Sequence, residues 1–462
     1  MWKKSKVIPL FKKEDPTRVV YNQLIKYLEE NKLLNPSHHG FRQNHSTATA
    51  LLEMHSNWVE AVEEDKITAV VLLDMSAAFD LVDKNILIEK LKLYGLDENS
   101  SNWMESYLSD RSQQVYLDGE LSESLPVNIG VPQGSILGPI LYCLLVNDLP
   151  ELIHNHEPID DSPTFWNTHC RTCGGITCFA DDSSLSRSNS NPAVLNLEIK
   201  EQYKEISQYM ASNKLVLNSD KSHLLVMASE QKHKKHGNYG IQLDTGMEII
   251  LPQDQEKMLG CQIISNLTWN QHLKDNEFSV DRQLTSRINA LKKISYSASF
   301  QNRKMIANGI VISRIIYVIQ LWSGTSEYLL SMLQVLQNKA ARFVTKLDIF
   351  TSQKTLLLQC GWLSVRQLAE YHSLVLIFKT KQEQKPELLH HILSKSFNYR
   401  TRAASTGSLV FNQSITGEIS RNSFISKSTR MWNTLPPQIK QAENLRIFKW
   451  KLKHWIKNNV VQ

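Results

Sequence analysis

Apolar positions along this chain change their spacing several times, and each change marks an element. Val20, Leu24, Tyr27 and Leu28 recur with helical spacing, and Asn35-Pro36 ends that segment. A second helix is expected over 48–64, with Ser46 or Thr47 as its N-cap. Thr68-Ala69-Val70-Val71-Leu72-Leu73 then runs without a polar break, which predicts a strand covered on both faces and ending at Asp74. A helix over 84–94 follows, capped by Asp83 and stopped at Gly95.

From Trp103 to Val127 the pattern gives short strand and turn signals. Gly130-Val131-Pro132-Gln133-Gly134-Ser135-Ile136-Leu137-Gly138-Pro139 predicts a glycine-rich turn leading into an apolar helix over 140–146, a place where backbone amides suit a nucleotide. In Thr177-Cys178-Phe179-Ala180-Asp181-Asp182-Ser183-Ser184, apolar and small residues run up to two carboxylates and a polar stretch leads away. That is a β-hairpin tipped by Asp181-Asp182. Leu195, Ile199, Tyr203, Ile206 and Met210 form one face of a helix over 192–213. Residues 215–227 read as strand, turn, strand with Lys221 at the turn, and 232–236 as a solvated basic loop. Strand signals recur at 247–250 and 259–264. From Glu277 the chain turns helical, with Leu284, Ile288, Leu291 and Ile294 in one stripe. It ends in an amphipathic helix that puts Leu445, Phe448, Leu452 and Trp455 on one face and Arg446, Lys449, Lys453 and Lys457 one step round.

Length and composition narrow the class. The 462 residues suit about three domains. With 42% hydrophobic and 21% charged residues the chain is globular rather than disordered or fibrous. A net charge of +6 fits a polyanionic partner without requiring one. Six cysteines with no framework spacing point to a reducing compartment. No apolar segment follows the basic N-terminus, and the most apolar run, Gly309 to Trp322, is too short for a bilayer and contains Arg314. The expectation is a soluble intracellular protein, nuclear or cytoplasmic, with no membrane partner. Cys170 and Cys173 have the CxxC spacing of a zinc site, near His154, His156, His169 and Cys178; free thiols are the competing reading.

The carboxylates carry the candidate chemistry. Adjacent aspartates repel, and a hairpin tip has no reason to prefer them unless a cation is bound there. An aspartate closing a buried strand is costly unless solvated or liganded. Asp74, Asp181 and Asp182 together could hold a pair of magnesium ions, with manganese as the substitute. Two such ions roughly 3.5–4 Å apart activate an attacking hydroxyl and stabilise a leaving oxygen, so the reaction class is nucleotidyl transfer.

The strings LLDMSAAFD from Leu72, GVPQGSILGP from Gly130 and FADD from Phe179, in this order, resemble the palm motifs of reverse transcriptases, most of all those of non-LTR (LINE-type, Jockey or CR1-like) retrotransposons. GFRQNHST from Gly40, NKLVLNSDKS from Asn213 and MLGCQI from Met258 resemble the flanking blocks, and the tail around Met431-Trp432-Asn433-Thr434-Leu435-Pro436 resembles the region that follows the polymerase. The resemblance implies an RNA-directed DNA polymerase working on an RNA template, a DNA primer and dNTPs. It implies an α+β right-hand fold: partial fingers over 1–66, a palm with an antiparallel sheet and the remaining fingers elements over 67–275, a helical thumb over 276–350 and a C-terminal helical region over 351–462.

By the same resemblance Asp74, Asp181 and Asp182 are the metal-binding triad, and Phe79 is the aromatic gate against a ribose 2′-hydroxyl. Gln133 and Gly134 are nucleotide and template contacts. Lys221 protonates the pyrophosphate leaving group, and Arg42 contacts the triphosphate. The chain departs from the family where Thr17 runs straight into Arg18, omitting a block with Tyr-Arg-Pro and a leucine-rich helix that carries a second triphosphate-binding arginine. No endonuclease or RNase H motif is evident. The alternative reading is therefore a catalytically inactive remnant that only binds nucleic acid.

Overall fold

The computed structural model describes residues 16–153, 174–237, 239–246, 248–293, 298–394, 409 and 417–458. Its centre is a five-stranded sheet of β1 (Ile67–Leu73), β2 (Gly174–Phe179), β3 (Asp182–Asn189), β4 (His223–Met227) and β5 (Pro252–Gln253), in the order β5-β4-β1-β3-β2. β1 lies in the middle, antiparallel to β3 and to β4, and β2 extends β3 as a hairpin. The palm sheet is thus antiparallel as expected, apart from the two-residue edge strand β5, which joins β4 in parallel.

The unbroken apolar run of β1 is explained by its two faces. Ala69, Val71 and Leu73 enter one core with Ile176, Leu185, Leu224 and Val226; Val70 enters a second core with Leu225 and Met227. A polar residue at any of these positions would lie buried on one face or the other. The first core is closed by the helices Pro16–Glu30, Lys84–Leu93, Gly138–Leu145 and Pro192–Ser212. In the last of these Leu195, Ile199, Tyr203, Ile206 and Met210 are the buried positions, as their spacing predicts.

The second core begins with the helix Thr47–Glu63, started by a capping box between Ser46 and Thr49. It continues through the hairpin Gln255–Met258/Cys261–Ile264 and the helix Val280–Lys293, then Glu327–Thr345, Val365–Glu383, Phe424–Thr434 and Leu445–Asn458. One apolar interior therefore runs from Ala50 to Ile456.

Several local expectations change. Trp103 belongs to a helix, Glu98–Leu108, capped by Asp97; the short strands start only at Arg111. Residues 230–236 form a helix rather than a loop, because Ser229 caps it by accepting from the Lys232 N–H. The apolar run 309–322 is interrupted at Tyr317-Val318, where Val318 adopts φ +45. Among the described residues no helix is long and apolar enough to cross a membrane.

Candidate active site

The sheet register assembles the site. Leu73 pairs with Ser183 on β3, and Leu72 with His223 on β4. Carrying both registers on to Asp74 puts Asp182 at one flank and Lys221 at the other. Lys221 Nζ lies 3.6 Å from Asp74 Oδ2. The chain around them is pinned from below: the Asn218 N–H donates to the Asp74 carbonyl at 2.9 Å and the Ser76 N–H to the Val216 carbonyl at 3.1 Å. Partial burial and the charges of Asp181 and Asp74 push the Asp182 carboxyl above its ordinary range.

These three aspartates offer only oxygen donors, the class that magnesium prefers, and like charges gathered at one sheet end suit a divalent counter-ion. The donor set fits the expected cation. Among the described residues no three His, Cys, Asp or Glu side chains already surround a common point at ligand distance.

The hairpin tip is a two-residue turn, Ala180-Asp181, between the paired Phe179 and Asp182. Ala180 sits at φ +57, a left-handed conformation that costs an L-residue roughly 1–2 kcal/mol. Support comes from the segment Ser37–Gly40, which adds to the edge of β2. The His39 N–H donates to the Cys178 carbonyl at 2.8 Å, and the Cys178 N–H to the Ser37 carbonyl at 3.0 Å. A Cβ on Gly40 would lie 2.4 Å from the Ala180 nitrogen, so only glycine fits there.

Phe79 is wedged between Tyr142 and Phe41, with ring centroids 4.9 and 6.5 Å away, and the Tyr142 hydroxyl reaches Met75 Sδ at 2.8 Å. The glycine-rich turn rests on this segment: the Val131 N–H donates to the Phe79 carbonyl at 2.9 Å. Gly130, at φ +87, would drive a Cβ to 2.8 Å from the Asp80 carbonyl oxygen. Gln133 Nε2 donates to both Asp80 carboxylate oxygens, at 2.8 and 3.0 Å, and Gly134 faces open space at φ +75.

A cleft of about 410 Å³ is lined by Asp74, Asp182 and Lys221 together with Phe179, His223 and the turn Glu256–Gly260. Asp181, Phe79, Gln133, Gly134 and Arg42 are not part of this lining. Arg42 lies among protein partners of its own. It is 8% exposed, donates from Nη1 to the carbonyls of Asn35 and His38, and lies 3.6 Å from both Glu29 and Glu387. Its guanidinium is thus engaged by protein groups, Glu387 coming from the distant helix Glu387–Ser394. Lys385 adds a further ion pair to Glu29.

One residue that the sequence did not single out reaches the cleft wall. Tyr317 donates its hydroxyl to the Leu259 carbonyl at 2.5 Å, and a Cβ on Gly260 would meet that hydroxyl at 3.1 Å and the ring at 3.4 Å. It stands beside the left-handed Val318, and inside an apolar run nothing distinguishes such a tyrosine from a core residue. Cys178 is buried in β2, where burial pushes its thiol up to about 12. Cys170, Cys173, His154, His156 and His169 lie outside the described residues.

Comparison with known proteins bears on the same stretch. Residues 14–263 match the family described as reverse transcriptase (RNA-dependent DNA polymerase). A probable RNA-directed DNA polymerase from transposon BS of Drosophila melanogaster is 26% identical over 351 residues, 73% of this chain and 36% of that protein. The RNA-directed DNA polymerase from mobile element jockey of the same organism is 23% identical over 337 residues, 71% of this chain and 34% of that protein. The chain thus spans about a third of the length of these relatives. Among solved structures, Candida tropicalis telomerase overlaps 97% of this chain and 57% of its own at 12% identity, with a TM-score of 0.43, too loose an overlap to bear on function. A match over residues 14–263, more than half of its length, makes the chain a member of the reverse transcriptase family.

Proposed function

We propose that the chain is the RNA-directed DNA polymerase portion of a non-LTR retrotransposon protein, adding deoxynucleotides to the 3′-hydroxyl of a primer on an RNA template. The observation that carries the reading is the row at the end of β1, with Asp74 between Asp182 and Lys221 on the wall of one cleft. Asp74, Asp181 and Asp182 would hold magnesium, which when bound supplies charge stabilisation to an in-line phosphoryl displacement. Lys221, largely solvent-exposed and beside Asp74, is placed to give a proton to the departing pyrophosphate. Phe79, held by Tyr142, presents a fixed bulk against a 2′-hydroxyl. Gln133 and Gly134, on the turn whose Val131 N–H is bonded to the Phe79 carbonyl, are the nucleotide and template contacts in this reading.

A second reading, nucleic-acid binding without catalysis, is favoured by Arg42, whose cation is engaged by Glu29 and Glu387 rather than turned to the cleft. Primer extension on an RNA template with dNTPs and magnesium separates the two. Extension by the chain and none by the double variant Asp181→Ala, Asp182→Ala is the expected result. Template binding with no extension by either protein would leave the second reading.

A further inference from the structure

The helix Leu445–Asn458 has a face that its own packing does not use. Phe448, Leu452 and Ile456 are buried, with Phe448 stacked on Phe378 at 4.1 Å between ring centroids. Arg446, Lys449, Trp450, Lys453, His454 and Lys457 are exposed. At about 100° per residue these six cover roughly 140° of the helix circumference. The helix contains no acidic residue. Among the described residues none of Arg446, Lys449, Lys453 and Lys457 forms an ion pair. Besides partial burial, the influences on Lys453 are like charges, Lys457 and Lys304, and all three act in the same direction.

Within this basic face stands an open aromatic pair. Trp450 is 71% exposed, and its ring lies parallel to His454, 6.2 Å between centroids and 11° between planes. A tryptophan this open gains nothing from the core beneath it, yet its ring is held flat beside a second ring and among cations. We propose that this face binds single-stranded nucleic acid outside the cleft, with bases stacking on Trp450 and His454 and phosphates meeting Arg446, Lys449, Lys453 and Lys457. Cation rows give sequence-independent attraction to a phosphate backbone, and aromatic faces accept any unpaired base. A duplex keeps its bases stacked inside and could not use the rings. A lipid surface would need the apolar side of the helix, which is committed to the protein interior. The inference rests on the polymerase reading for the source of the strand, template or product, and on the helix alone for the binding.

The test uses the full chain with fluorescein-labelled 15-nucleotide oligo(U) and oligo(dT), titrated by anisotropy over a range of salt. The triple variant Lys449→Gln, Lys453→Gln, Lys457→Gln should reduce the slope of log affinity against log salt by about 2. Trp450→Ala should weaken binding about 5- to 100-fold at an unchanged slope. Photocrosslinking with 4-thiouridine oligonucleotides should label the peptide containing Trp450. Losses with both oligonucleotides assign any single strand to the face; losses with oligo(U) alone assign RNA. Unchanged binding in both variants with crosslinks confined to the cleft would overturn the proposal, as would loss of phosphatidylserine-vesicle binding without loss of oligonucleotide binding. A chain that fails primer extension but shows these losses keeps the surface and loses the polymerase reading. One that extends primers while all variants bind alike does the reverse.

Discussion

Gly40 lies so close beneath Ala180 that no methyl group fits between them: its Cβ would stand 2.4 Å from the Ala180 backbone nitrogen. The loop before the helix Thr47–Glu63 is thereby the floor on which the Ala180-Asp181 turn is built. Gly40→Ala should cost about 1–3 kcal/mol, as overpacking against rigid backbone does, and should lower activity by tilting the turn. Ala180→Gly should stabilise by about 0.5–1 kcal/mol, since φ +57 is free to glycine. Thermal unfolding of the two variants, measured side by side, checks the pair; equal midpoints would show that the turn is not strained.

Lys221 tests whether the cation beside Asp74 works in the reaction or in the fold. Its side chain is 68% exposed, and an ion pair so open contributes little to stability. Lys221→Ala should therefore leave the unfolding midpoint nearly unchanged while lowering kcat about 10²- to 10⁴-fold, the usual range for loss of a general acid. Single-turnover extension with saturating dNTP is the measurement.

Tyr317 ties the helical region to the cleft. Its hydroxyl holds the Leu259 carbonyl in the turn between Met258 and Cys261, next to Lys257 and Glu256 on the cleft wall. Tyr317→Phe keeps the ring and removes the bond, at a cost of about 1 kcal/mol. Hydrogen exchange should rise at residues 257–261. In primer extension the KM for primer–template should rise while that for dNTP stays put.

Glu387 gives a pH prediction. Burial alone would raise its carboxyl, but the His45 contact and the Arg42 charge outweigh that and hold it at about 2. A depressed carboxyl lends stability above its unfolded value near 4.5 and loses it as pH falls through about 2. The seating of the helix Glu387–Ser394 against the Arg42 loop should therefore loosen between about pH 4.5 and 2, and less steeply at high salt. Glu387→Gln should produce the same loosening at neutral pH, read by proteolysis within 385–394. If Arg42 must be released to meet a triphosphate, the same variant should lower the KM for dNTP.

The parts of this molecule that were legible in the sequence are those with a local cause. β1 had to be covered on both faces because it has no polar break, and a hairpin after Phe179 was legible because polar residues lead away from it, although the turn is Ala180-Asp181 and Asp182 already belongs to β3. Asp74, Asp182 and Lys221 could be named from motif strings, whereas their arrangement in one row follows only from the register of β1 with β3 and β4. The surroundings of Arg42 were not legible, because its ion-pair partners, Glu29 and Glu387, lie 13 residues before it and hundreds after it, beyond the reach of any spacing rule. The helix at 230–236 was missed because its charges suggested a solvated tip, when Ser229 was supplying the cap. The assignments at Cys170 and Cys173 fall outside the described residues.

The interior that runs from Ala50 through Val70 and Met227 to Trp432, Phe448 and Ile456 has a practical consequence for anyone cutting this chain. The stretch that matches the family stops at residue 263, but Trp58 and Val70 within it are sealed by side chains that come after it. A fragment ending there would carry every aspartate of the cleft and keep the helix Thr47–Glu63 on its sheet, but it would expose to water the apolar side chains of that second core which residues 267–456 seal. It should aggregate rather than behave as an autonomous folding unit, so the catalytic motifs and the distal helices stand or fall as a single inheritance.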